Sequence, residues 1–525
     1  MKTTQSSIAS AATLRVCWCA LCVWVASPSL AVAGPRVTLE VESRIRLGGE
    51  QNAAAEVVVY NRVHQRLLVT DTVSNTVRML DARDPSRLRE QAPIRPAGLG
   101  TVNSVATRGG LVAIVSAASD AQSSGSLHVY TIEGVRLAGI TVGPMPDMVV
   151  FTPDGHHLLV ANEGEPSDDY TDDPPGSVSI VSVPESLEGW AGAAVRRVGF
   201  EAFDIAGAPE GVRVTGPDAL PSRDIEPEDI AVSPDSSTAY VVCQENNAIA
   251  VIDIASATLE SIVPLGSVDR TADLAGFDPS DRDGGPQISR WPVRSWRQPD
   301  TIVAFEHGGE TFLATADEGD PRSYQGFEET ARVGDLKLDP QAFPDQAVRA
   351  DDQLGRLKVS RVEGDTDGDG DFDLLYSFGG RGISVWDARA RHVWSSGDSI
   401  ERVIAARAPE RFNRSSGADA EPDGRSDDRG PEPEALAVAE VSGYRLLVCA
   451  LERPGGLVVC DLTDPRWPRL LEYVPPDASG LDLAPETLAV WSEPGNAGSL
   501  VVAAAHEATG VLTVYRLRVH ADGGE

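Results

Sequence analysis

Lysine is almost absent from this chain: only Lys2, Lys337 and Lys358 occur, so arginine carries nearly all the positive charge. Positive charge of any kind is scarce. Lys and Arg number 45 against 79 Asp and Glu, a formal net charge of −34 over 525 residues. Phosphate backbones and anionic bilayers are held by basic side chains, so this balance argues against nucleic acid or an anionic membrane as partner and favours cations. Aromatic residues make up only 6 %, yet 42 % of the chain is hydrophobic, enough for a sizeable core and too much for wholesale disorder.

Long apolar runs are also missing. Val16 to Val25 is too short to span a bilayer, and Ala31-Val32-Ala33 follows it as a small-residue cleavage signal. Residues 1–33 therefore read as a secretory signal peptide, and residues 34–525 as an exported, soluble chain, secreted or periplasmic, with no transmembrane segment. The end from Arg518 to Glu525 is polar, with no recognisable anchor. Beyond the leader three cysteines remain, Cys243, Cys449 and Cys460. An odd number leaves at least one thiol unpaired. Cys449 and Cys460 flank a turn and read as two small buried hydrophobes or as a cross-strand pair. No zinc spacing, GxSxG, HExxH, P-loop or dinucleotide fingerprint occurs.

What is present is a repeat. Glu226 to Ile254 reads strand, turn, strand, turn, strand, with apolar blocks bounded by Pro, Asp, Ser and Asn. The pattern begins again at Pro146-Asp147, Pro299-Asp300, Pro433-Glu434 and Pro485-Glu486, with weaker copies at 55–80 and 103–132 and a partial copy at 374–395. Antiparallel units at such a spacing predict an all-β fold, a β-propeller. The count gives seven or eight blades, with seven favoured. The interval from Pro299 to Pro433 is long enough for two units, and the strand Val37 to Leu47 is expected to pair into the last blade and close the ring. Loop insertions are expected at 184–223, 266–297 and 407–430.

Carboxylates recur at two positions of the repeat. One opens the innermost strand: Asp147, Glu228, Asp300, Glu434 and Glu486. The other is the turn after the next strand: Glu163 and Glu165, Glu245, Asp317 with Glu318 and Asp320, Glu452, and Glu507. Both sets should face one end of the channel, where so many like charges repel unless neutralised. Calcium, with six to eight oxygen ligands, suits them. A further calcium signal is Asp365, Asp367, Asp369, Asp371 and Asp373, carboxylates at alternate positions with Gly370 at the turn. The Glu of an EF-hand is missing; Tyr376 stands there. Arg322, Arg381 and Arg453 lie beside acidic motifs and are candidates for a phosphate ligand or for ion pairs, and His506 adjoins Glu507.

The motifs NEGEPSDDYTDDPPGSVSIV, RDIEPEDIAVSPDSSTAYVVCQENNAIAVIDI, ATADEGDPRSY, GDTDGDGDFDLLYSFGGRGISVWD and the LERPGG turn resemble the choice-of-anchor I family of bacterial exported proteins. That family is similar to the mesenchyme-specific cell surface glycoproteins of echinoderms. The resemblance implies an extracellular propeller, surface attachment by varied anchors and a link to calcium; some bacterial members carry an alkaline-phosphatase-like label. The chain departs from the family at AHEATG, where His506 stands beside Glu507 in place of the usual Asn-Glu pair. Two functions are therefore expected to compete: a calcium-binding module for a cell-surface ligand, and a calcium-dependent phosphoric ester hydrolase acting at the acidic channel mouth.

Overall fold

The computed structural model describes residues 35–47 and 55–520, apart from 99, 218, 418–419 and 494. The expected signal peptide, 1–33, lies outside the described residues.

Among the described residues, seven antiparallel sheets have four strands each. In chain order their first strands are Val58–Asn61, Val102–Arg108, Pro146–Phe151, Ile230–Val232, Ile302–His307, Pro433–Val441 and Pro485–Trp491. Each of these touches the next, and the seventh touches the first. First strands in mutual contact around an axis, with later strands stepping outward, make a β-propeller. The strand Arg36–Arg46 pairs antiparallel with Val511–His520 as the outer strand of the seventh sheet.

The burial pattern explains the sequence pattern. Second strands such as Arg66–Asp71, Thr238–Cys243 and Tyr444–Leu451 are apolar runs rather than alternations, because sheets pack on both of their faces. Seven apolar clusters sit at the seven junctions between neighbouring sheets. Leu67 and Val69, for example, face Ala503 and Val514 of the seventh sheet, while Leu68 faces Val112 and Ile114 of the second. Each fully buried Leu or Val contributes about 2 kcal/mol, so a sheet without its neighbours would lose most of its support.

The interval between Pro299 and Pro433 holds one four-stranded sheet, not two. Its second strand, Glu310–Asp317, pairs directly with Gly382–Asp387, and the chain between them leaves the ring. The partial copy at 374–395 supplies the third and fourth strands of this same sheet. The excursion and the 266–297 segment together build a satellite lobe, whose core includes Phe277 from the latter and Val333, Leu338, Leu354, Leu357, Val359 and Leu375 from the former. Of the three segments read as insertions, 184–223 includes the outer strand of the third sheet, Val195–Gly199. The segment 266–297 sends Arg294–Trp296 into parallel pairing with Tyr376–Ser377, and 407–430 runs as turns around buried Phe412 and Asn413. Cys243, Cys449 and Cys460 are free and buried.

Candidate cation-binding channel

A repeated backbone device joins the two acidic positions. The residue before the opening proline is left-handed in four sheets: Met145, Gln298, Glu432 and Ala484 have φ between 41° and 48°. Its carbonyl accepts the N–H of the turn residue after the second strand, from Glu163, Gly319, Glu452 and Glu507 respectively, at 2.9–3.0 Å. Turn and opener are thereby pinned at one end of each sheet. Gly319 is the exception that lacks a carboxylate. A Cβ there would lie 2.3 Å from the Gly379 nitrogen, so the acidic function moves to its neighbours Glu318 and Asp320.

The openers line a cavity of about 630 Å³. Asp147, Glu228, Asp300, Glu434 and Glu486 all face it, with Glu507 from a turn. Two further residues complete the circle at the same position in the first and second sheets, Glu56 and Asn103. No proline precedes either, so the proline-marked pattern does not reach them; the weak copies starting near 55 and 103 are the signal they leave in the sequence. Asn103 is the one neutral member, and its amide donates to the carbonyl of Pro146 at 3.0 Å.

Burial, then mutual repulsion, raises the pKa of the carboxyls that open the innermost strands. Asp147 is pushed up to about 7 by burial and by Asp300 and Asp229. Asp300 rises to about 6 through burial. Glu486 reaches about 10 through burial and then Glu452 and Glu507. Glu228 and Glu434 are pushed well above the usual range by burial and by their acidic neighbours. Most telling is their bonding. Oε2 of Glu228, Glu245 and Glu434 is each buried without a hydrogen-bond partner. Such orphaned oxygens are costly unless a donor or a cation meets them. A donor set of carboxylate oxygens with one amide fits a hard divalent ion.

The turn carboxylates gather in two groups above the openers. Glu163, Glu165, Glu226 and Glu245 surround one side, where burial and mutual charge raise all four. Arg322 is fully buried here, 3.2 Å from Glu226 and 3.5 Å from Asp224. On the other side, oxygens of Glu318, Glu432 and Glu452 lie within 4.8 Å of one another. Arg429 reaches Glu318 at 3.1 Å, Asp320 at 2.7 Å and Glu432 at 3.1 Å, and Arg453 reaches Glu432 and Glu452, each at 2.7 Å. Burial opposes ionisation of Glu432, but Arg429, Arg425 and Arg453 outweigh it and hold the carboxyl below its usual range. Glu452, with fewer cationic contacts, rises to about 7 through burial and Glu432. Glu226 and Glu432 both stand before an opening proline, a position that is acidic only in these two of the proline-marked repeats, and Arg429 lies outside the repeat.

The remaining candidates are placed elsewhere or bonded otherwise. Asp317 is inside the fifth sheet, bonded to Thr315 at 2.7 Å, to Ser384 at 2.5 Å and to Arg297 at 3.3 Å. Arg381 is buried at the root of the satellite lobe. Its guanidinium donates to Glu401 at 2.8 Å and to the carbonyls of Asp278, Ser426 and Asp428. His506 is the buried last residue of the second strand of the seventh sheet, 4.0 Å from Asp482, with a pKa lowered to about 4 by burial. The loop 365–373 belongs to the satellite lobe; among the described residues, oxygens of its Asp365, Asp367 and Asp373 converge in one group, those of its Asp371 and Asp373 converge with Asp339 in another, and Asp369 joins neither.

The family model for the choice-of-anchor I domain matches residues 56–465. The chain belongs to the choice-of-anchor I family. Two curated relatives resemble this choice-of-anchor I chain. One is the mesenchyme-specific cell surface glycoprotein of Strongylocentrotus purpuratus, 32 % identical over 45 % of this chain and 35 % of that protein. The other is gigasin-3a of Magallana gigas, 36 % identical over 29 % of this chain and 54 % of that protein. The matched stretches thus span about a third and about half of these relatives. Among solved structures, a streptogramin B lyase is 9 % identical with a TM-score of 0.46, covering 92 % of this chain and 98 % of that one. A Myceliophteria thermophila Cps50 (Swd1) β-propeller domain is 10 % identical with a TM-score of 0.45, covering 91 % and 99 %. Among the described residues of this choice-of-anchor I chain, no helix is long and apolar enough to cross a membrane.

Proposed function

We propose that this choice-of-anchor I protein is an exported, extracellular binding module whose propeller channel holds Ca²⁺. The observation that carries the reading is the set of buried, unpartnered Oε2 atoms of Glu228, Glu245 and Glu434 beside or within an acid-lined cavity. Six carboxylates of the opener ring, converging from six sheets, supply the oxygen-rich and adjustable donor set that Ca²⁺ prefers over the stricter octahedron of Mg²⁺. A bound ion would relieve their repulsion and present a charged centre to an anionic group on a ligand. The name of the sea-urchin relative, a cell surface glycoprotein, supports a role at a surface. A phosphoric ester hydrolase needs a guanidinium available to a phosphate. Arg322 and Arg453 are committed to carboxylates, which favours binding over hydrolysis.

The test is calorimetry of the full chain with Ca²⁺, wild type against Glu228→Gln with Glu434→Gln. Binding that weakens in the double variant supports the reading. No heat and no binding by equilibrium dialysis at millimolar Ca²⁺ would sink it.

A further inference from the structure

We propose that a second divalent-cation site lies in the satellite lobe, seated on Asp339, Asp371 and Asp373, apart from the channel and independent of it. Oxygens from these three side chains lie within 4.8 Å of one another. Asp371 is 5 % exposed, and its Oδ1 has no hydrogen-bond partner. It is the one carboxylate of the loop with that property.

The neighbours are already occupied by the backbone. Asp365 accepts the N–H groups of Gly368 at 2.7 Å and Gly370 at 3.0 Å. Asp373 accepts from Thr366 N–H at 2.8 Å and Thr366 Oγ at 2.6 Å through Oδ2. These bonds shape the loop and leave one oxygen of Asp373 for a ligand. Asp339 comes from outside the Asp-rich motif, and its Oδ1 accepts from Gln341 and Ala342 N–H at 2.5 and 2.7 Å. Its other oxygen is free of those bonds.

The strand-like bridge between Leu338 and Phe372 holds the two segments together. Asp339 N–H donates to Phe372 O at 3.1 Å, and Phe372 N–H donates to Lys337 O at 2.9 Å. Asp339 is thereby fixed beside Asp371 and Asp373 by main-chain contacts rather than by chance. Lys337 reaches Asp371 Oδ2 at 2.8 Å but is 70 % exposed, so solvent weakens its compensation of the three carboxylates. An all-oxygen set on a loop with Gly368 and Gly370 at positive φ suits Ca²⁺. Asp365 and Asp367, whose oxygens lie within 4.8 Å of one of Asp373, would complete the ligand shell or hold an adjoining ion. Bound there, the ion would clamp the segment around Asp339 to the loop.

The experiment is carried out on the full chain bearing Glu228→Gln and Glu434→Gln, so the channel contributes least. Amide hydrogen exchange is measured with and without Ca²⁺, alongside equilibrium dialysis of Ca²⁺. The expected result is slowed exchange at 337–342 and 366–373 and retained binding that Asp339→Asn weakens about tenfold or more. Asn keeps the Asp339 turn bonds, so the variant should stay folded. Unchanged exchange at millimolar Ca²⁺, or equal binding with Asn at 339, would overturn the proposal. Because channel binding is read from the difference between the wild-type protein and this double variant, either site can fail without the other.

Discussion

The backbone N–H of Glu163 donates to the carbonyl of Met145 across 2.9 Å, with Met145 left-handed at φ 41°. This bond joins a turn carboxylate to the residue before Pro146-Asp147, and its counterparts recur in three other sheets. Two acidic positions 16 residues apart in sequence, 147 and 163, thus meet at one end of a sheet. The channel's charge is a consequence of that geometry.

Gly319 occupies this turn position in the fifth sheet at φ 98°, with backbone of Gly379 2.3–2.4 Å from where a Cβ would stand. Gly319→Ala should destabilise the protein by about 2 kcal/mol or more, from left-handed strain and a clash with rigid main chain. Chemical denaturation of the variant measures this. A loss below half a kcal/mol would show that the turn yields.

The channel acids make stability depend on pH and, if the channel holds Ca²⁺ as proposed, on calcium as well. Asp147 and Asp229 are both raised to about 7, chiefly by burial. A carboxyl whose folded pKa is raised gives stability that is full below pH 4 and is lost as pH rises through about 7. In a chelator, melting temperature should therefore fall between pH 4 and 7 from these groups. Added Ca²⁺ should restore it most at the upper end, with protons released on binding. Melting curves at several pH values, with chelator and with Ca²⁺, test both signs.

His506 contributes the opposite slope. Burial lowers its pKa to about 4, so the unfolded chain binds more protons between about pH 4 and the ordinary value of 6.5. Stability from neutral His506 is full above pH 6.5 and is lost as pH falls toward 4, on the order of 3 kcal/mol in all. Neither ring nitrogen has a hydrogen-bond partner. His506→Leu should flatten the acid limb of a stability–pH profile without lowering stability at pH 7 by more than about 1 kcal/mol. A profile unchanged below pH 6 would contradict this.

Arg381 and Glu401 form a buried pair with side chains each 2 % exposed. Arg381→Met leaves Glu401 without its cationic partner and three carbonyls without their donor, and should cost about 3–5 kcal/mol. Calcium binding by the folded fraction should be unchanged, because the pair anchors the loops at 278 and 426–428 rather than the channel. A calorimetric titration at low temperature separates the two effects. Weakened binding with stability intact would reassign Arg381 to a ligand site.

The propeller was legible because burial on both faces writes apolar runs into second strands, and turns write Pro, Asp and Asn between them. The satellite lobe was not legible. Its short strands at 323–332 and 358–360 lack periodicity, and an excursion inside one sheet looks in sequence like room for another. The opener acids were readable where a proline marks the position, as at Asp147 and Glu434. Glu56 lacks that mark, and it came to light only when the first sheet took its place in the ring.

Sequence by itself determined the repeat, the negative excess and the two acidic positions, since each depends on neighbours along the chain. Tertiary structure alone decided which acids are neutralised. Arg429 reaches Glu318, 111 residues away in sequence, and Arg322 reaches Glu226, 96 away, while Glu434 receives no donor for its Oε2. Charge compensation acts through space within a few ångströms, and a folded ring sets those distances without regard to order along the chain.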